Sequence, residues 1–326
     1  MTKQNEPSRE EDKIAQKARD ILEKQQHSPL FAEYQELAEA YFKLLRQSQK
    51  IIRLSDAQQN RLHKLNHQQE LLTEMSNLAY KELNQVYSEV KQDLLFAREI
   101  QQAILPKETS QIQNKPFYSH YSPMTDIGGD FYDIVEIDGK IRVFFADATG
   151  HGIRAALISM LIKAEYESIK KTYQEPHEVL MQFNDDFIKL YESLNVFFTG
   201  IILDIDFSQN QVHYSSAGHP PQYLIKPQEI IQLKPSGEPL GFMEHTNYTS
   251  HTLELGDKDK FILFSDGIYE QFNQKDEMFG LEKLYDFIYA NREKSCKEII
   301  ELLLQTLEEY RNGQTVFDDV TILGLG

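Results

Sequence analysis

Ile141-Arg142-Val143-Phe144-Phe145-Ala146-Asp147-Ala148-Thr149-Gly150-His151-Gly152 reads as a strand that ends on a carboxylate, turns on glycines and opens a helix. The run up to Ala146 is rich in β-branched and aromatic residues, the composition of a buried strand. Asp147 follows directly, so a rigid sheet would hold its carboxylate at the edge. The helix predicted from Ala155 to about Tyr173 offers its N-terminus, which favours an anion, to the same edge. Three further aspartates share this grammar. Asp130 follows Gly128-Gly129, Asp266 sits in Phe264-Ser265-Asp266-Gly267 at the end of an apolar run, and Asp318 precedes Val320-Thr321-Ile322-Leu323. Any one of these alone reads as a turn. Together, at strand boundaries, they form a set of like charges that calls for a counter-charge, and hard divalent cations supply one through oxygen ligands. The set points to a metal-dependent hydrolase.

Outward from this stretch, Phe197–Ile205, Gln211–Tyr214, Tyr223–Ile225 and Phe261–Phe264 read as further strands. Helices are predicted over Pro176 to about Leu194, Leu281–Asn291 and Cys296–Arg311. Asp138-Gly139 and Ser208-Gln209-Asn210 read as hairpin turns. Hairpin connections among mixed strands and helices favour an α+β fold, a β-sandwich flanked by helices, over a parallel doubly wound sheet.

Before Pro106 the composition is different. Residues 1–105 lack glycine, carry proline only at Pro7 and Pro29, and are rich in helix formers. Ser28 is a plausible N-cap for a helix that begins near Phe31. A 3-4 alternation runs through Leu62, Leu65, Leu72, Ala79, Leu83, Val86, Val90, Ala97, Ile100 and Ile104, with polar Gln69, Ser76 and Asp93 in the seam. That pattern describes a coiled coil of modest stability, and hence a homodimer through the N-terminal helices. The expected organisation is a helical, coiled-coil regulatory region over 1–105 and a catalytic domain over 106–326.

The net charge of −17 disfavours nucleic acid and anionic membrane surfaces as partners. A single cysteine, Cys296, excludes an internal disulfide framework and suits a reducing compartment. No apolar run reaches the length of a membrane span, so a cytoplasmic protein is expected.

The aspartate motifs, taken in order, resemble the PPM family of metal-dependent protein Ser/Thr phosphatases, specifically its bacterial SpoIIE/RsbU-type branch. Arg98-Glu99-Ile100-Gln101-Gln102-Ala103-Ile104-Leu105-Pro106, Ser216-Ala217-Gly218-His219-Pro220-Pro221 and Gly237-Glu238-Pro239-Leu240-Gly241 support the resemblance, which covers about residues 95–326. It implies an αββα sandwich with two Mn2+ or Mg2+ ions at one end. By position it makes Asp147 the bridging ligand with the Ala148 carbonyl beside it, Asp130 a ligand of the first metal, and Asp266 and Asp318 ligands of the second. Asp319 and Asp133 rank below these as optional ligands. The implied reaction is attack by two-metal-activated water on a phosphoserine or phosphothreonine of a protein, with a STAS-type anti-sigma-factor antagonist as substrate.

This chain departs from many eukaryotic relatives, with Gly129 in place of a glutamate and Thr149 where the proposed general acid would stand. His151 is the candidate to protonate the leaving alkoxide. His219 reads instead as bonded to neighbouring backbone in a tight turn. Gly128-Gly129-Asp130-Phe131 does not continue as a diguanylate cyclase signature, which requires a second acid at Phe131. The rival reading is a catalytically weak coiled-coil signalling adaptor with a structural metal site. Loss of turnover in Asp147→Asn would decide for the enzyme.

Overall fold

The computed structural model describes residues 7–24, 30–107, 109–150 and 152–326. The N-cap assigned to Ser28 lies outside the described residues. The chain divides into two compact units, one ending at Ser88 and the other starting at Glu89. Among the described residues, no helix is long and apolar enough to cross a membrane.

The first unit is helical. It contains α1 (Pro7–Lys24) and most of α2 (Phe31–Ile104). The Arg19 guanidinium lies 5.3 Å from the centre of the Phe42 ring, joining the two helices through a cation–π contact. Farther along α2, the seam residues Leu62, Leu65, Leu72, Leu83 and Val86 are exposed in the single chain.

The second unit holds two antiparallel sheets. Its strands are β1 (Thr109–Ile112), β2 (Lys115–Ser122), β3 (Asp130–Ile137), β4 (Lys140–Ala148), β5 (Phe198–Asp206), β6 (Gln211–Ala217), β7 (Gln222–Ile225), β8 (Ile230–Leu233), β9 (His251–Glu254), β10 (Lys260–Phe264) and β11 (Val320–Leu325). One sheet runs β1-β2-β11-β10-β7-β8 and the other β3-β4-β5-β6-β9. Helices α3 (Ile153–Ile169) and α4 (Pro176–Tyr191) cover the second sheet, and α5 (Gly280–Ala290) and α6 (Cys296–Arg311) cover the first.

β4 shows why the layers form. Ile141, Val143 and Phe145 point into the core between the sheets, while Phe144, Ala146 and Ala148 point into the core under α3 and α4. A period of two with both faces apolar is the signature of a strand covered on both sides. The result is the expected α+β sandwich with helices on each outer face. The predicted hairpins are present: Asp138 and Gly139 both take positive φ between β3 and β4, and Asn210 does so between β5 and β6.

Two helices end earlier than their sequence predicts. α3 stops at Ile169 instead of continuing to Tyr173, because the buried Arg142 guanidinium captures the carbonyls of Lys170, Tyr173 and Gln174. α4 gives way after Tyr191 to a 3-10 turn that closes on Asn195 in the left-handed region.

Candidate metal centre

The strand registers gather the predicted aspartates at one end of the sandwich. In the β3–β4 hairpin Asp130 and Asp147 are direct partners, and on its other side Asp147 faces Thr199 of β5. In the opposite sheet β10 and β11 pair through Phe264 and Ile322, which brings the segment after β10 beside the segment before β11. The two segments are sewn together. Ser265 N–H donates to the Thr321 carbonyl at 3.0 Å, and Ser265 Oγ donates to the Asp319 carbonyl at 3.1 Å. A Cβ on Gly267 would stand 2.0 Å from the Asp319 carbonyl oxygen, so the glycine after Asp266 is required by backbone approach.

The carboxylates share one electrostatic neighbourhood. Burial, and then the charges of Asp130, Asp266, Asp318 and Asp319, push the Asp147 carboxyl well above the ordinary range. Burial and Asp319 do the same to Asp130. Asp266 is pushed up to about 6 by burial, by Asp318 and by Glu270. Among the described residues no three such side chains already close into a ligand cage. The donor set nonetheless fits a hard divalent cation. Asp130 Oδ1 is buried with no hydrogen-bond partner, while its Oδ2 accepts from Thr321 Oγ1 at 2.5 Å. An all-oxygen set crowded with like charge and holding one orphaned buried oxygen matches the chemistry of Mn2+ or Mg2+.

The remaining residues divide. The Ala148 carbonyl oxygen lies 3.0 Å from where a Cβ on Gly129 would stand, so it faces the loop that carries Asp130. Asp319 accepts from Met124 N–H at 2.7 Å and from Gly129 N–H at 2.5 Å, so its carboxylate braces the loop that carries Asp130. Asp133 does not join the site. It lies an odd number of residues from Asp130, hence on the other face of β3, where Lys170 Nζ donates to it at 2.9 Å. Thr149 Oγ1 donates to the Phe197 carbonyl at 2.9 Å.

His151 lies outside the described residues. His219 is fully buried, its ring 5.2 Å from that of Phe145, and burial pushes its pKa down to about 3. Its Nδ1 bonds across the sheet to Thr199 Oγ1 at 2.8 Å, in place of the turn backbone expected from the sequence.

The family described as Stage II sporulation protein E (SpoIIE) matches residues 137–326. This chain belongs to the SpoIIE family. Membership bears out the resemblance to the SpoIIE/RsbU branch of PPM phosphatases, and with it the expected enzyme class, a protein-serine/threonine phosphatase. The chain is 27% identical over 256 residues to phosphoserine phosphatase RsbU of Bacillus subtilis, covering 76% of this chain and 75% of that protein. It is 25% identical over 237 residues to phosphoserine phosphatase RsbP of the same organism, covering 70% of this chain and 56% of that protein. The fold is similar to that of the SiaA-PP2C domain of Pseudomonas aeruginosa, with a TM-score of 0.65 at 22% identity over 73% of this chain and 97% of that one. RsbX in complex with magnesium shares it at a TM-score of 0.51 and 21% identity, covering 67% of this chain and 98% of that one.

Within this SpoIIE-family site, sequence reasoning passed over Thr321, Ser265, Glu270 and Gln101. Glu270 lies four residues after Asp266, and burial and the charge of Asp318 raise its carboxyl. A second acid one helical turn from an assigned aspartate was the available signal. Nothing local marks Thr321, because a threonine in a strand reads as propensity.

Proposed function

We propose that this SpoIIE-family chain is a Mn2+- or Mg2+-dependent phosphatase that removes phosphate from a serine or threonine of a partner protein, a STAS-type anti-sigma-factor antagonist. The observation that carries the reading is the cross-strand pair of buried Asp130 and half-buried Asp147, with an unpartnered Asp130 oxygen at the end of the sandwich. Two divalent cations bound there would polarise the phosphoryl oxygens and make water a competent nucleophile near neutral pH.

The chain's own residues set up that chemistry. Asp147, with the Ala148 carbonyl beside it, would serve both ions, Asp130 would hold the first, and Asp266 and Asp318 would hold the second. Asp319, through Gly129 N–H, keeps Asp130 in place. His151 would supply the proton for the leaving alkoxide, the general-acid role that an imidazole commonly takes. The names of RsbU and RsbP as phosphoserine phosphatases support the substrate class, and the magnesium in the RsbX structure supports the ion class.

The exposed seam of α2 supports a homodimer through the N-terminal helices that acts as the control element. Sedimentation of Leu72→Asp/Leu83→Asp against the unsubstituted chain tests the dimer, and deletion of residues 1–95 tests control. Unchanged kinetics and metal affinity after deletion would sink the control reading.

The deciding experiment for the enzyme is dephosphorylation of a phosphorylated STAS-type protein with and without Mn2+. Turnover is expected in the unsubstituted chain and is lost in Asp147→Asn. Mn2+ binding without turnover on any phosphoprotein would favour the adaptor.

A further inference from the structure

Gln101, near the end of α2, is buried to 2% exposure, although glutamine is a residue that ordinarily faces water. Its side-chain amide is fully used. Oε1 accepts from Gly128 N–H at 3.1 Å and from Tyr121 OH at 3.0 Å, while Nε2 donates to the Gly128 carbonyl at 2.6 Å and to Ser159 Oγ at 3.0 Å. Two donors and two acceptor sites exhaust what an amide offers, so the group has one orientation. Turning it over would set NH2 against the Gly128 N–H.

The residue it grips leads directly to the metal centre. Gly128 has no room for a side chain: a Cβ there would meet Asp319 Oδ2 at 2.4 Å and Tyr121 OH at 2.7 Å. Gly129 follows, its N–H held by Asp319, and then Asp130 with its unpartnered oxygen. Gln101 therefore fixes the backbone N–H and C=O of Gly128 as a neighbouring strand would, for a loop residue that has no strand beside it. The same amide reaches α3 through Ser159, one turn after Ala155, whose Cβ would stand 2.9 Å from a Cβ on Gly129.

We infer that Gln101 is a positioning residue for the metal centre, a side-chain clamp that joins the end of α2, the Gly128-Gly129 loop and α3 and presents Asp130 for metal binding. It rests on the reading of Asp130 as a metal ligand. Outer-shell partners of ligands change metal affinity by about ten- to a hundred-fold when removed.

The test is Mn2+ titration of the full chain by calorimetry, with no turnover required. Gln101→Met keeps the length and loses every polar bond. It is expected to raise the Mn2+ dissociation constant by about tenfold or more. Ile300→Ala, a cavity variant in α6 away from the site, serves as a matched destabilised control and is expected to bind Mn2+ like the unsubstituted chain. If Gln101→Met does not fold by circular dichroism, Gln101→Asn, too short to grip both groups of Gly128, is read in its place. Unchanged affinity in the folded Gln101 variant, or an equal loss in Ile300→Ala, overturns the clamp while leaving the metal site standing. Absence of Mn2+ binding by the unsubstituted chain overturns the metal reading itself, and the clamp with it.

Discussion

Asp130 and Asp147 are direct cross-strand partners, two carboxylates side by side on adjacent buried strands. Like charges placed opposite each other weaken a sheet. The β3–β4 hairpin is held regardless by its apolar residues on both faces, so the repulsion is concentrated where a cation would relieve it. Packing supplies the stability of the hairpin, and the mismatch at its end supplies the binding site.

Asp147→Asn should therefore separate stability from function. In chelator-treated protein the variant is expected to unfold at a higher temperature than the unsubstituted chain, by the equivalent of about 1 kcal/mol. Added Mn2+ should raise the thermal midpoint of the unsubstituted chain and leave the variant nearly unmoved, because only binding to the folded state stabilises it. A lower midpoint for Asp147→Asn without metal would contradict the strained pair.

The aspartates and the layered fold were legible because each is written locally: apolar runs of period two, turn residues at their ends, and a carboxylate at the boundary. What supports them was not. Asp319 looked like a spare ligand beside Asp318, yet its oxygens are occupied by the N–H groups of Met124 and Gly129, nearly two hundred residues away in sequence. Gln101 stands within the junction motif Arg98–Pro106 with no role of its own assigned, and Arg142 stands within a strand run. Each acts by bonding to backbone that is distant in sequence, and no spacing rule reports such a contact. Asp133 misled for the opposite reason: it is close to Asp130 in sequence, and the pleat of β3 sends it to the other face.

Gly129→Ala is expected to reduce both activity and stability. The added Cβ would stand 2.9 Å from Ala155 Cβ and 3.0 Å from the Ala148 carbonyl oxygen, and neither can swing aside as a flexible side chain would. Forced overpacking of this kind costs about 1–3 kcal/mol. Adding Ala155→Gly removes one of the two clashes, so the double variant should recover part of the lost thermal midpoint and part of the Mn2+ affinity. Strict additivity of the two substitutions would show that α3 and the Asp130 loop are not coupled through this contact.

His219 should leave a mark on the acid side of the stability curve. Its pKa in the folded chain is pushed down from 6.5 to about 3, chiefly by burial. Between those values the unfolded chain binds a proton that the folded chain refuses, so this residue lowers stability as pH falls and contributes up to about 1.4 kcal/mol per pH unit. The buried aspartates with raised pKa values act in the opposite direction. The informative quantity is therefore the difference between the unsubstituted chain and His219→Gln, measured by urea unfolding from pH 7 to pH 4. The difference should shift in favour of the variant as pH falls. A difference independent of pH would mean that His219 charges as easily inside the fold as outside it.

Arg142 tests how α3 is anchored at the end opposite to its glycine-rich start. All five guanidinium N–H groups are engaged: Nε and Nη2 with the two oxygens of Asp204 at 2.6 and 2.5 Å, Nη1 with the carbonyls of Lys170 and Tyr173, and Nη2 also with that of Gln174. Both partners of the ion pair are only 2% exposed. Arg142→Met would leave the Asp204 charge buried and alone, a loss of about 3–5 kcal/mol. In the double variant Arg142→Met/Asp204→Leu the stranded charge is gone, and most of that loss should return. The carbonyls after α3 would still lack a donor, so a remainder of about 1–3 kcal/mol should persist. Complete recovery would show that the ion pair is dispensable and that the end of α3 needs no anchor. Persistence of the remainder, together with faster amide exchange over residues 166–174, would identify Arg142 as the group that stops and holds the helix.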